Sequence, residues 1–357
     1  MGRRVNAFGE NVTQNMGASM ATMQDVAERA QVSIATVSFV VNSTKHVKDS
    51  TRQRVEQAMR DLGFRRNPIG AALASGRTRI VALLFPVLER SLSHTAVAFF
   101  SNASRRARER GYDLIMWPIG TDTEHIDVLA RGGLVDGVIL MEVQLEDPRV
   151  NALTDNNVPF AMIGRTEDPS SLPYVDIDMG ISTREAIDRL TALGHRDIAF
   201  VYSTSPEYDH GAVSRARDAY LAAAEELGVR PTLLACDEVP DEGRILGERF
   251  ARDHPETTAV IIMNEHAAPR FITGLARTGV RVPEDVSVLS LGSSAYMAEM
   301  TDPPLTYMRT PAPELGELGF DALERRLADP SGAPMQTLLP CTFVSGDTLA
   351  PVRSATV

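Results

Sequence analysis

From Ile80 onward, short continuously apolar runs alternate with longer amphipathic segments, and few architectures accept that alternation. The runs are Ile80–Phe85, Tyr112–Trp117, Val135–Met141, Phe160–Ile163, Ile198–Val201, Thr232–Cys236, Ala259–Met263, Val286–Leu291 and Leu305–Met308. Between them lie Val97–Arg110, Ser182–Leu193, Val213–Leu227 and Ala267–Thr278, with apolar residues at helical spacing. A strand apolar on both faces must be covered on both, and helical crossovers supply the cover. About ten strands over roughly 280 residues divide more comfortably into two sheets than one. The expected body is therefore α/β, with two doubly wound parallel-sheet subdomains and a ligand crevice beyond the carboxyl ends of their strands.

The first eighty residues read differently. Residues 1–20, rich in Gly, Asn and Ser without periodicity, read as a disordered tail or an overlong start whose natural beginning is Met16 or Met20. Three short helices are expected next. Thr22 and Asp25 form a capping-box-like pair ahead of Val26, Ala27 and Ala30. Ser33 can cap a helix over Ile34–Asn42, with Val37, Val40 and Val41 on one side and Ile34, Ala35, Ser38, Phe39 and Asn42 on the other. A third helix spans about Ser50–Leu62, with Val55, Ala58, Met59 and Leu62 at i, i+3, i+4, i+7 and Gly63 as its stop. Two short helices joined by about three residues and backed by a third make an all-α helix-turn-helix domain. Asn67-Pro68 then opens a helix to Ala74, shorter than the ~12–15 residues that are marginal in isolation.

Charge divides the chain at the same place. The net charge of −11 looks wrong for a polyanion binder. Yet residues 21–78 carry nine Lys/Arg against five Asp/Glu, whereas residues 79–357 carry 25 against 41. Nucleic-acid binding would belong to the leading segment. A length of 357 residues calls for two or three domains, and 43% apolar with 23% charged residues excludes a disordered or fibrous chain. No apolar run approaches the ~20 residues of a membrane helix, and no secretory apolar region follows Met1, which points to a cytoplasmic protein without membrane partners. Cys236 and Cys341 lie far apart outside any CxxC, so neither a disulfide framework nor a metal site is expected. GxGxxG, GxxxxGKS/T, GxSxG, HExxH and EF-hand spacings are all missing, and His195 after Gly194 reads as a helix-end residue. No catalytic residue, cofactor or metal is assigned, and the chain is expected not to be an enzyme.

Thr22 to Asn42, together with Thr51-Arg52-Gln53-Arg54-Val55, Leu62-Gly63-Phe64 and Gly76-Arg77-Thr78, resembles the amino-terminal motif of the lactose-repressor (LacI/GalR) family of bacterial transcription regulators. In the body, Leu193-Gly194-His195-Arg196-Asp197-Ile198-Ala199-Phe200, Val282-Pro283-Glu284-Asp285-Val286-Ser287-Val288 and Pro303-Pro304-Leu305-Thr306 resemble that family's effector domain in the same order. The resemblance spans about residues 22–345 and implies a periplasmic-binding-protein-like body. It divides the chain into a tail (1–20), a helix-turn-helix domain (21–66), a hinge (67–78) and an effector and dimerisation domain (79–350). Its N-subdomain would be about 79–175 plus 311–330, and its C-subdomain 176–309 plus 335–346.

The same resemblance implies that Ile34–Asn42 enters the major groove with Ile34, Ala35 and Phe39 facing bases. Phe39 stands where arginine is frequent, so a thymine methyl contact would replace guanine readout. Thr22, Ser33, Thr36, Ser38, Asn42, Lys48, Thr51 and Arg52 would hold phosphates. Lys48 replaces a capping Ser, and Gln31 takes a turn position often held by Gly. Asn67–Ala74 matches the hinge helix, with Leu73 as the minor-groove wedge, although Gly70-Ala71 replaces Ala-Arg. Effector contacts would come from Ser93, His94 and Ala96, where Asn-Pro-Phe-Phe is common, and from Arg165. Arg215 and Arg217 straddle a ligand-gripping arginine, Asn264-Glu265 replaces Asn-Asp, and Gly292-Ser293 replaces an Asp-Asp pair.

These readings imply a repressor that binds a palindromic double-stranded operator as a homodimer, since two recognition helices double the base contacts. Without a carboxyl-terminal heptad repeat, a dimer is expected rather than a tetramer. A small effector, a sugar or related metabolite, would shift one subdomain against the other and fold or release the hinge. The rivals are a cytoplasmic carbohydrate-binding protein without operator function and an α/β enzyme with a regulatory domain.

Overall fold

A computed structural model describes residues 21–42, 45–64, 77–86, 93–118, 123, 126, 129, 132–204, 210–237, 239 and 241–353. Contacts divide the chain into two units, Met1–Thr78 and Arg79–Val357.

The first unit holds α1 (Met23–Ala30), α2 (Ile34–Asn42) and α3 (Asp49–Asp61). Thr22 caps α1 reciprocally: the Asp25 amide donates to Thr22 Oγ1, and Asp25 Oδ2 accepts from the Thr22 amide at 2.7 Å. The turn to α2 runs through Gln31 at φ 54°, where a side chain costs about 1 kcal/mol relative to glycine. Ser33 then caps α2 by accepting from the Thr36 amide at 3.1 Å. The core is Val26, Ala27, Ala30, Val37, Val40, Val47, Val55 and Ala58, none larger than valine. Asn67–Ala74, with Asn67 and Leu73, lies outside the described residues.

The second unit is built on two six-stranded sheets, each forming one lobe. The first lobe contains β1 (Ile80–Phe85), α4 (His94–Glu109), β2 (Asp113–Pro118), β3 (Gly137–Met141), α5 (Pro148–Asp155), β4 (Phe160–Ile163) and β5 (Tyr174–Ile177). The second contains α6 (Met179–Ala192), β6 (Asp197–Tyr202), α7 (Gly211–Leu227), β7 (Arg230–Ala235), α8 (Glu242–Asp253), β8 (Ala259–Ile262), α9 (Ala267–Arg277), β9 (Ser287–Ser293), α10 (Ala295–Ala298) and β10 (Thr306–Arg309). The chain then returns to the first lobe with α11 (Ala312–Ala328) and β11 (Gln336–Leu339), and crosses again to β12 (Thr342–Val344).

Strand order is β11-β5-β4-β3-β1-β2 in one sheet and β12-β10-β9-β8-β6-β7 in the other. Every pairing is parallel except β10 with β12. In both sheets the first strand of the lobe pairs with the second on one side and the third on the other, which opens a crevice at that switch point. Burial explains the continuous apolar runs: β1, β3, β4 and β8 are covered on both faces.

Three strands carry no run in the sequence reading: β5, β11 and β12. The reading also placed residues 335–346 in the second lobe, but Gln336–Leu339 pairs in parallel with β5 in the first. Only Thr342–Val344 joins the second sheet. β11 and β12 are four and three residues long and partly exposed, which leaves little pattern to read. No helix among the described residues is long and apolar enough to cross a membrane.

Candidate functional site

In the amino-terminal unit, the caps that start the helices also aim the candidate nucleic-acid residues. Ser33, Ile34 and Ala35 are exposed at the start of α2, Ile34 to 45%. Thr36 and Ser38 are half-buried, and Asn42 ends the helix. Phe39 is half-buried against the valine core, with the Lys45 ammonium 4.9 Å above its ring. Thr22 and Lys48 are exposed, and Thr51 and Arg52 donate their amides to the Lys48 carbonyl at the start of α3. Lys48 makes no side-chain cap, because its ammonium can only donate and the helix start needs an acceptor.

In the body, the carboxyl ends of the strands surround a crevice of about 170 Å3 between the lobes. Phe85, Met141, Ile163 and Ile177 line it from the first sheet, and Leu291, Gly292 and Thr310 from the second. Its charged and imidazole lining among the described residues is Glu142, Asp176, Glu265, His210 and His266, with no lysine or arginine among them. Asp176, on β5, has a side chain only 6% exposed, with Oδ2 3.4 Å from Arg165 Nε and 3.7 Å from Arg215 Nη1. Burial raises its carboxyl to about 6, against the opposing pull of Arg215 and Arg165. Burial likewise lowers the Arg215 guanidinium from its ordinary value.

Both rims of the crevice are bridged. On one, Arg215 Nη2 donates to the carbonyls of Arg165 and Thr166, at 3.0 and 2.8 Å. The Gly211 amide donates to the Val143 carbonyl at 3.0 Å, and a Cβ at Gly211 would approach the Arg165 carbonyl to 3.0 Å. On the other, Glu265 accepts from Thr95 Oγ1 at 2.9 Å and from Ser294 Oγ at 2.7 Å. There His94 stacks on Tyr296 at 3.7 Å between ring centroids. The lobes are closed on one another.

Among the described residues, His266 Nε2 and Thr310 Oγ1 on the lining and Ser293 Oγ behind it are buried without a hydrogen bond, and Asp176 Oδ2 and Arg215 Nη1 meet only as an ion pair. Of the sequence candidates, Ser93 and Glu265 line the crevice, and Arg165, Arg215 and Ser293 back it. Ser93 also caps α4 by accepting from the Ala96 amide, and Ala96 itself is buried. His94 and Asn264 line a wider cavity of about 930 Å3 over α9 and α10. Asn264 accepts from the His266 and Ala267 amides, both at 3.1 Å, which starts α9. Arg217 turns outward and pairs with Asp218 at 2.9 Å. Sequence reasoning missed Asp176, Glu142, Thr95, His210 and His266. The apolar pattern around Tyr174–Ile177 could have found only Asp176.

Comparison with known proteins follows the same division. A family profile described as "Bacterial regulatory proteins, lacI family" matches residues 22–67, and one described as "Periplasmic binding protein-like domain" matches residues 187–349. The HTH-type transcriptional regulator CelR of Thermobifida fusca is 30% identical over 333 residues, covering 89% of this chain and 95% of that protein. A solved transcriptional regulator CelR–cellobiose complex aligns over 92% of this chain and 99% of its own, at 26% identity and a TM-score of 0.69. The lac repressor dimer bound to operator and the anti-inducer ONPF aligns over 93% and 100% at a TM-score of 0.81, and with 23% identity it speaks for the fold alone.

Proposed function

The chain belongs to the LacI family of bacterial transcription regulators, and on that premise we propose that it is a homodimeric repressor of a palindromic operator, released or recruited by a small neutral sugar held between its lobes. The observation that carries the ligand reading is a crevice between the lobes whose lining places the buried Asp176 and Glu265 side by side with His266, Ser93 and Thr310. A buried polar atom left without a hydrogen bond, such as His266 Nε2, costs about 1–3 kcal/mol, and ligand hydroxyls are both donors and acceptors. The lining carboxylates accept from hydroxyl donors and repel a phosphate or carboxylate, and the imidazoles can donate to or accept from a hydroxyl. In the closed arrangement the volume is about 170 Å3. An apolar cavity of about 150 Å3 takes one benzene ring, so a single pyranose-sized ring is the upper limit.

On this reading Ser93, Arg165, Arg215, Glu265 and Ser293 hold or back the effector, with Asp176 as the central acceptor. Ile34 and Ala35 face bases, as does the exposed edge of Phe39. Thr22, Ser33, Thr36, Ser38, Asn42, Lys48, Thr51 and Arg52 hold phosphates. Residues 67–78 form the hinge, with Leu73 as its wedge. Val239, Tyr296 and Met300 stand exposed on one face of the second lobe, which supports burial against a second copy. The protein acts in the cytoplasm, where the chromosome is, and performs no catalysis.

Titration calorimetry with glucose, galactose and ribose tests the ligand reading, with cellobiose and glucose 6-phosphate as contrasts of size and charge. A neutral monosaccharide should bind, and Asp176→Ala should weaken it at least tenfold. Preference for the phosphate ester, or binding untouched by the substitution, would refute the assignment.

A further inference from the structure

Arg149 is the largest fully buried side chain among the described residues, yet it neither lines the crevice nor faces solvent. Its guanidinium is wrapped by the loop between β3 and α5. Nε donates to Asp147 Oδ1 at 3.0 Å and Nη2 to Asp147 Oδ2 at 2.7 Å. Nη2 also reaches the carbonyls of Glu142 at 2.7 Å and Met141 at 3.2 Å. Asp147 accepts in turn from the amides of Arg149 and Gln144, at 2.9 and 3.1 Å. The remaining nitrogen, Nη1, is buried without a hydrogen-bond partner.

What this clamp shapes is the part of the first lobe that meets the second. Glu142 is held at φ 52°, a conformation a non-glycine residue keeps only where its surroundings impose it. Its Oε2 lies 3.4 Å from His210 Nε2. The Val143 carbonyl accepts from the Gly211 amide, and Gln144 forms a bridge with His210. Three consecutive residues of the loop thus meet the start of α7, and Glu142 and Val143 also line the crevice. Stability alone does not call for this arrangement. An apolar side chain of similar volume would avoid desolvating two charges and stranding a donor, and such replacements are often neutral or stabilising.

We propose that Arg149 is a positioning residue of the crevice: through the carbonyls of Met141 and Glu142 it fixes the loop that presents Glu142 to the ligand and docks Val143 on Gly211, so that lobe closure depends on it. The link to the ligand rests on reading the crevice as the effector site. A guanidinium is suited to the task because its planar fork grips a carboxylate and two carbonyls at once, which an ammonium cannot do.

Pulsed electron-resonance distances in the full-length chain test this without a ligand. Spin labels go on Asp155→Cys in α5 and Asp218→Cys in α7, both exposed, while Cys236 and Cys341 are buried. The labelled parent should give one narrow distance. Asp147→Asn/Arg149→Met keeps the helix cap while removing both charges, and should lengthen and broaden the distance. Arg149→Lys should do the same. Leu153→Ala, a core lesion in the same helix, should lower the melting temperature further yet leave the distance narrow. An unchanged distance in the Arg149 variants, or an equal change in Leu153→Ala, overturns the proposal. Hydrogen exchange in the unsubstituted chain offers a test free of folding defects. The Gln144 and Gly211 amides should exchange at one common rate, and tenfold faster exchange at Gly211 would contradict the clamp. Failure of every sugar to bind would sink the effector reading while leaving these results to judge the clamp.

Discussion

The two units bury their polar groups in opposite ways. The helical unit keeps an all-Ala/Val core and spends its hydroxyls and carboxylates at exposed helix ends, as in the Thr22–Asp25 and Ser33–Thr36 caps. The body has large aromatic and aliphatic cores on both faces of each sheet, and carries Asp176, Glu265 and Ser293 into buried positions around one crevice. One unit is shaped to show polar groups to a large charged surface, and the other to enclose a small molecule. The difference in core size also means that the first unit has little stability to lose.

The sharpest way to break the contrast is to place the same kind of lesion in each. Val37→Asp buries a charge in the small core and should unfold the first unit alone. Operator affinity should fall about a thousandfold or more, towards the non-specific level, with the body's melting transition retained. Phe250→Ala in the body should cost about 3–5 kcal/mol in a calorimetric scan while operator affinity stays within tenfold. Equal loss of DNA binding in both would remove the distinction.

A second prediction concerns the buried carboxylate. The Asp176 carboxyl titrates near 6 in the folded body, above its ordinary value of 3.8. The folded state therefore holds the proton more tightly than the unfolded one. The stabilisation is fully present below pH ~4, declines as pH rises towards ~6, and is gone above that. Asp176→Asn should thus gain about 2 kcal/mol on the parent between pH 4 and pH 7.5, read from melting curves at both values. A constant difference would show that the carboxylate is not held in a low-dielectric site. Higher stability with weaker sugar binding is the expected trade for a functional group.

At the other unit, Phe39→Arg should shift base preference towards guanine at one position in each half-site, by about 1–3 kcal/mol in a selection experiment. An unchanged profile would mean that the half-buried ring serves the core alone. The smallest effect belongs to Arg217→Ala, which should move sugar affinity less than about twofold because that side chain points outward to Asp218. Arg215→Ala should lose far more, since it bridges the lobes.

Much of this could be read from the chain. The helix-turn-helix, its caps and nine of the strands follow from local pattern, with ends off by a residue or two. The failures have a shared cause. β5 carries the buried Asp176 in a run of four residues, and the charge that makes it chemically interesting also hides the strand. Gln336–Leu339 and Thr342–Val344 are short edge strands whose sheet is fixed only by tertiary pairing. Arg215 and Arg217 differ by helical phase, which depends on where α7 begins and on the close approach at Gly211. The rim contacts of Thr95 with Glu265 and of Glu142 with His210 join segments far apart in sequence, and no spacing announces them.

The central claim joins a DNA-binding unit to a sugar-gated body, and fluorescence anisotropy of a labelled palindromic operator tests it most directly. The titration is run at several salt concentrations, with and without the sugar that calorimetry identifies. Log affinity should fall linearly with log salt, by about 0.9 for each phosphate held. The sugar should shift affinity at least tenfold in the parent and not at all in Asp176→Ala. Salt-independent binding, or a sugar response that survives the loss of Asp176, would contradict the account.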